Sequence, residues 1–104
     1  MTTFTTYKRW TLRDEKDESD LVDIVANHII PHYQRLDPIV RLKLLRVSGT
    51  RSYLALQHWP SRADWETVRA SNRFASWYQA YEPILAHWDQ MMEFEAEWEA
   101  EAVL

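Results

Sequence analysis

Between Met92 and Glu101 apolar and acidic residues alternate without a break: Met92, Phe94, Ala96, Trp98 and Ala100 take one parity, Glu93, Glu95, Glu97, Glu99 and Glu101 the other. A period of two sustained over ten residues specifies an extended strand with one apolar and one charged face, because a helix would scatter both sets around its axis. Such a strand needs partners. Phe4 to Leu12, rich in Thr, Tyr and Trp and weakly alternating, predicts a first strand. Val40 to Val47 and Tyr53 to Trp59 predict two more, joined by Ser48-Gly49-Thr50-Arg51-Ser52, a connection of hairpin length that contains the only glycine of the chain.

Two helices fall between these strands. The acidic stretch Asp14 to Asp20 suits a loop and helix start, since carboxylates are favoured at a helix amino end. Leu21, Ile24, Val25, His28, Ile29, His32 and Leu36 then recur at helical spacing until Asp37-Pro38 ends the run. Ser61-Arg62-Ala63-Asp64 matches a capped helix start, with an acid three residues after the serine. Trp65, Val68, Ala75, Tyr78, Tyr81, Leu85 and Trp88 continue at helical period, with a break expected near Pro83. The order strand, helix, strand, strand, helix, strand is the split βαβ of an α+β, ferredoxin-like domain spanning 1–104, with both helices on one face of an antiparallel sheet. The other face would be bare, yet residues of both parities between Leu42 and Leu56 are apolar, so it is expected to be covered, most simply by the sheet of a second copy in a homodimer. In this strand order the last strand pairs with the first, where Arg9 and Arg13 are placed to oppose the glutamate row. That row is accordingly read as a solvated or charge-paired face rather than a cation site.

Composition narrows the function. A net charge of −4, with no basic run longer than a pair such as Lys8-Arg9, disfavours nucleic acid as a partner. The absence of cysteine removes thiolate nucleophiles and thiolate-bound metals and suits a reducing cytoplasm, and no stretch is apolar for long enough to cross a membrane. Six Trp, five Tyr and three Phe are more aromatic surface than one small core needs, so part of it is expected to line a pocket or an interface.

The element order, the stretch Ile30-Pro31-His32-Tyr33, the junction Trp59-Pro60-Ser61-Arg62-Ala63-Asp64-Trp65 and the segment Ser71-Asn72-Arg73-Phe74 resemble the antibiotic biosynthesis monooxygenase-like branch of the dimeric α+β barrel superfamily. The resemblance covers nearly the whole chain and implies a ferredoxin-like dimeric α+β barrel. Among the activities it implies are cofactor-independent oxygenation of phenols, haem degradation and quinol chemistry; some members have no established activity. The three positions that carry the haem-degrading Asn, Trp and His fall near Lys8, Val68 and Tyr78, so that activity is disfavoured.

The polar candidates are few. His28 and His32, four apart and on the expected buried face of the first helix, are the leading acid–base candidates, with Tyr78; a structural role for the pair is the alternative, and without an evident third ligand no metal is expected. Tyr33, Trp65 and Tyr81 are expected to floor a flat cavity with Tyr78, where phenol and indole donors hold a small hydrophobic or aromatic molecule; plain core packing would use the same spacing. Asn72 is a further candidate contact or a solvent-facing helix residue. Lys8 is either a snorkelling side chain at the sheet rim or an anion anchor in the pocket. The functional expectation is a monooxygenase-like protein that oxygenates a small aromatic or quinone-type compound with no cofactor; the alternative is a non-catalytic, small-ligand-binding or regulatory homodimer.

Overall fold

The computed structural model describes residues 2–104. Strand β1 (Phe4–Leu12) sits inside a four-stranded sheet of order β2-β3-β1-β4, with β2 (Arg41–Arg46), β3 (Ser52–Trp59) and β4 (Met92–Glu101), every pair antiparallel. Between β1 and β2 the helical arm comprises α1 (Glu18–Ile24), a π-helical turn at Val25–Ile29 and α2 (Ile30–Leu36); α3 (Arg62–Arg69) and α4 (Asn72–Met91) lie between β3 and β4. The helices lie over one face of the sheet, as the split βαβ order predicts.

Alternation along β1 explains which face. Phe4 and Leu12 are fully buried, and with Trp10 they pack into the core against Leu21, Ile24, Trp77, Trp88 and Met91 from the helices. In the β1–β3 register Phe4 pairs with Trp59 and Trp10 with Tyr53, so the odd residues of β3 share that face. Leu42 and Leu44 add the same face of β2. The opposite face carries Tyr7, Leu45, Leu54 and Leu56, of which Leu56 is buried and Leu45 exposed; among the described residues no helix lies over it.

Three expectations change. The perfect alternation of β4 predicts one apolar face, but a bulge against Arg9 and Trp10 shifts the register: Phe94 pairs with Trp10, whereas Ala96 pairs with Arg9 and Trp98 with Tyr7. A bulge adds one residue to one strand, which turns the following side chains over. Met92 and Phe94 therefore face the helices, while Ala96, Trp98 and Ala100 face away and Glu97, Glu99 and Glu101 turn toward them. Next, α4 runs unbroken through Pro83, and the interruption falls at Ala70-Ser71. Pro83 is exposed, as is Gln79 one turn before it, so the carbonyl that the missing N–H leaves free is open to solvent, whereas the Ser71 N–H and hydroxyl both turn back to the Val68 carbonyl at 3.1 and 2.6 Å. Finally, Arg9 meets Glu95 at 2.9 Å as expected, but Arg13 donates to the Asp89 carbonyl, and Arg62 of α3 supplies the other partner of the row, pairing with Glu99 and Glu101.

Local signals hold where they are strongest. The Asp64 N–H donates to Ser61 Oγ at 3.1 Å and that hydroxyl donates to the Asp64 carboxylate at 3.0 Å, capping α3. Gly49 takes φ +74° in the β2–β3 turn, where the Thr50 N–H reaches the Val47 carbonyl.

Candidate functional site

A cavity of about 140 Å³ lies between the sheet and the helices. Its floor is the strand face of Thr6, Lys8, Trp10, Leu42, Leu44, Ala55 and Gln57, and its roof comes from Val25, Ile29, Tyr33, Tyr78, Tyr81, Leu85 and Trp88. Apolar surface dominates, with polar atoms set into it at a few points. The π-helical turn contributes here: one extra residue per turn moves Val25 and Ile29 over the cavity and changes the phase of everything after them.

Tyr33 and Tyr81 cross at 5.4 Å with rings nearly perpendicular, and Tyr81 lies 6.5 Å from Tyr78, so the tyrosines form one aromatic wall. Gln57 Nε2 donates to the Tyr33 hydroxyl at 3.0 Å, while the Gln57 carbonyl accepts from Trp59 Nε1 at 3.1 Å, which fixes the amide's orientation. Burial pushes the Tyr33 phenol up to about 12 and raises that of Tyr81 as well. At neutral pH both are therefore hydrogen-bond donors and not bases. Trp10 Nε1 is buried with no partner on the protein, an unsatisfied donor in a residue that lines the cavity.

The histidines are not part of it. His28 is exposed, because the π-helical turn rotates it off the buried face on which regular spacing would place it with His32. His32 is buried and fully engaged: it stacks on Trp77 and Tyr81 at 4.8 and 5.3 Å, its Nε2–H donates to the Trp77 carbonyl at 2.9 Å, and its own carbonyl accepts from Trp77 Nε1 at 2.7 Å. This reciprocal pair is a tie between α2 and α4. Asn72, the first residue of α4, is exposed and is not among the residues that line this cavity. Trp65 does not floor the tyrosine cavity; it packs against Phe4 at 4.9 Å with the rings tilted by 45° and lines a second space.

That second space, about 440 Å³ and open to solvent, adjoins the first along Thr6, Lys8 and Gln57, which line both. Arg69, Glu97 and Glu99 complete its polar walls. The Arg69 guanidinium lies 4.7 Å over the Trp65 ring. Lys8 thus stands at the junction of an apolar and a polar chamber. Among the described residues no group of three or more His, Asp or Glu side chains is gathered so as to hold a metal ion, and no helix is long and apolar enough to cross a membrane.

No protein-family model and no curated protein matches the sequence. Solved structures do match in shape. SnoaB, a cofactor-independent oxygenase from Streptomyces nogalater, superposes with a TM-score of 0.68 at 17% identity over 100% of this chain and 96% of its own. A dimeric ferredoxin-like protein from an uncultured marine organism gives 0.70 at 14% identity over 100% and 98%. A candidate antibiotic biosynthesis monooxygenase from Chloroflexus aurantiacus gives 0.60 at 8% identity over 98% and 94%. The chain has the ferredoxin-like fold of these proteins.

Within this ferredoxin-like frame, sequence reasoning missed Trp10, Gln57 and Arg69. Trp10 was readable in principle: it shares strand parity with Lys8, so whichever face held one held the other. Gln57 lies on the same face of the neighbouring strand, opposite Thr6, but a lone glutamine carries no chemical signature. Arg69 follows Trp65 by one helical turn, a spacing that permits stacking without announcing a site.

Proposed function

We propose that the protein is monooxygenase-like, taking a small aromatic or quinone-type molecule into the tyrosine cavity and oxygenating it without a resident cofactor, as a homodimer joined through the open sheet face. The observation that carries the reading is the placement of Tyr33, Tyr78, Tyr81 and Lys8 around one apolar cavity. Supporting it are the ferredoxin-like neighbours that include a cofactor-independent oxygenase and a dimeric protein. An uncovered sheet face that exposes Leu45 and Trp98 supports the dimer.

The chemistry follows from what the cavity offers. A cavity of roughly 150 Å³ accommodates a benzene ring, so the apolar chamber takes one ring of a substrate. The Lys8 ammonium and the tyrosine hydroxyls stabilise a phenolate or enolate, which lowers the cost of removing the substrate's proton. The deprotonated carbon gives one electron to O₂, recombination forms a C–O–O–H bond, and loss of water leaves a carbonyl. In sum a CH₂ and O₂ become C=O and H₂O. No imidazole lines the cavity, so the proton leaves to solvent through the open polar chamber, and the rate should follow ionisation of the substrate rather than of a histidine. His28→Ala should then retain activity, because His28 is exposed and away from the cavity.

Oxygen uptake with a panel of quinols and polyphenols tests the reading. Lys8→Met is expected to lower kcat/KM at least tenfold. Uptake that is unchanged in Lys8→Met, or that collapses in His28→Ala, would refute this account of the site. The missing imidazole favours a second reading, a non-catalytic ligand-binding dimer; tryptophan-fluorescence quenching by the same compounds with no oxygen uptake would establish it.

A further inference from the structure

We infer that the polar chamber is a subsite for an anionic substituent, so that the preferred ligand is an aryl carboxylic acid whose ring occupies the tyrosine cavity. The inference rests on the proposed use of that cavity and adds the class of ligand. It begins from charge pairing. On the helix-facing side of β4, Arg62 is neutralised by Glu99 and Glu101 at 3.4 and 2.8 Å. Lys8 and Arg69, which line the polar chamber, have no carboxylate within ion-pair distance among the described residues, although Glu97 and Glu99 line the same space. Two cations without partners beside an apolar ring site form a receptor for an anion attached to a ring.

The geometry adds direction. Arg69 is held over Trp65 at 4.7 Å, so its guanidinium has surrendered little further freedom when a carboxylate arrives. Lys8 lines both chambers, so one ammonium can contact the ring oxygen and the acid group of an ortho-hydroxy acid. The small apolar chamber holds about one ring, and anything larger must extend across Thr6, Lys8 and Gln57 into the polar one. Glu97 opposes Lys8 in the β1–β4 register without pairing with it, and as an acceptor it favours a ligand hydroxyl while repelling a bare anion. Replacing Glu97 and replacing Arg69 should therefore act in opposite directions, which a general loosening of the chamber would not produce.

The experiment compares 1-naphthol with 1-hydroxy-2-naphthoic acid on the full chain, reading dissociation constants from tryptophan quenching at low ionic strength. The acid is expected to bind at least tenfold more tightly than the neutral compound. Arg69→Met should bring that ratio to within about threefold of unity, Glu97→Gln should raise it severalfold, and the exposed Arg35→Met, a charge-matched control on α2, should leave it alone. A ratio near one in the wild type, or a ratio reduced equally by Arg35→Met and Arg69→Met, overturns the anion subsite while the ring cavity stands. If neither compound binds, the ring cavity itself is refuted and the subsite falls with it.

Discussion

The two faces of the sheet are made from the same strands yet behave as different materials. On the helix-covered face Phe4, Leu12 and Met92 retain at most 1% of their surface, and the aromatic rings of the helices interlock above them. On the other, Leu45 and Trp98 keep 45% and 42% exposed, and Trp98 lies stacked on Tyr7 at 5.2 Å and 5°. The bulge in β4 brings Trp98 into this contrast, since it divides one apolar stripe between the two faces. A single strand thereby closes the core at its start and presents an exposed tryptophan on the other face further along. Stability within the chain and association between chains should accordingly be separable.

The sharpest way to break the comparison is Trp77→Ala. Trp77 is the hub of the covered side, in contact with His32, Tyr33, Phe74 and Tyr81, and its indole N–H ties α4 to the His32 carbonyl. Losing it should cost about 3–5 kcal/mol from the cavity left behind, in line with other buried Trp-to-Ala changes, and chemical denaturation would measure it. A loss below about 1 kcal/mol would mean that the helix layer is held elsewhere.

A smaller effect on the same side depends on pH. Burial raises the Tyr33 phenol from the usual tyrosine value near 10 to about 12. A raised folded-state value means that the folded chain keeps a proton the unfolded chain releases. The associated stability is whole below about pH 10 and falls away as pH climbs toward about 12, amounting to about 3 kcal/mol for a two-unit difference. Tyr81 shifts in the same direction for the same reason and steepens the limb. Denaturation midpoints across this range should fall for the wild type and fall less for Tyr33→Phe; parallel limbs would place the Tyr33 hydroxyl in water.

What the sequence disclosed about these regions follows from how local each signal is. Strand parity, the Gly49 turn and the Ser61 cap depend on residues close in sequence, and the fold was legible from them. The β4 bulge and the π-helical turn depend on tertiary fit. Nothing in Glu95-Ala96 or Val25–Ile29 marks an extra residue per turn or per strand, yet these two insertions decide that Trp98 faces outward and His28 faces solvent. The site suffered most, since a period carried through an insertion misplaces every later side chain. His32 lies on the predicted side, but only the Trp77 carbonyl bound to it distinguishes a structural tie from an acid–base group. Lys8 illustrates the remaining gap. Its parity placed it beside Trp10, but parity says nothing of what lies above a strand face; the exposed Lys8 lines both the apolar and the polar space.

The smallest expected effect on folding comes from the open face and separates association from stability. Trp98→Ser removes the stack on Tyr7 from a strand whose side chains beyond Met92 are exposed, so the isolated chain should lose no more than about 1.5 kcal/mol, the scale of an aromatic pair. If the homodimer forms through this face, the same change should weaken association at least tenfold, because a tryptophan anchored in an interface carries roughly 2 kcal/mol or more of binding. Sedimentation velocity across micromolar concentrations reads the association and urea denaturation the stability. A variant that remains fully dimeric would move the interface to another surface, whereas one that becomes monomeric and also unfolds with Trp77→Ala-like losses would show that the two faces form one cooperative unit and that the contrast between them is only geometric.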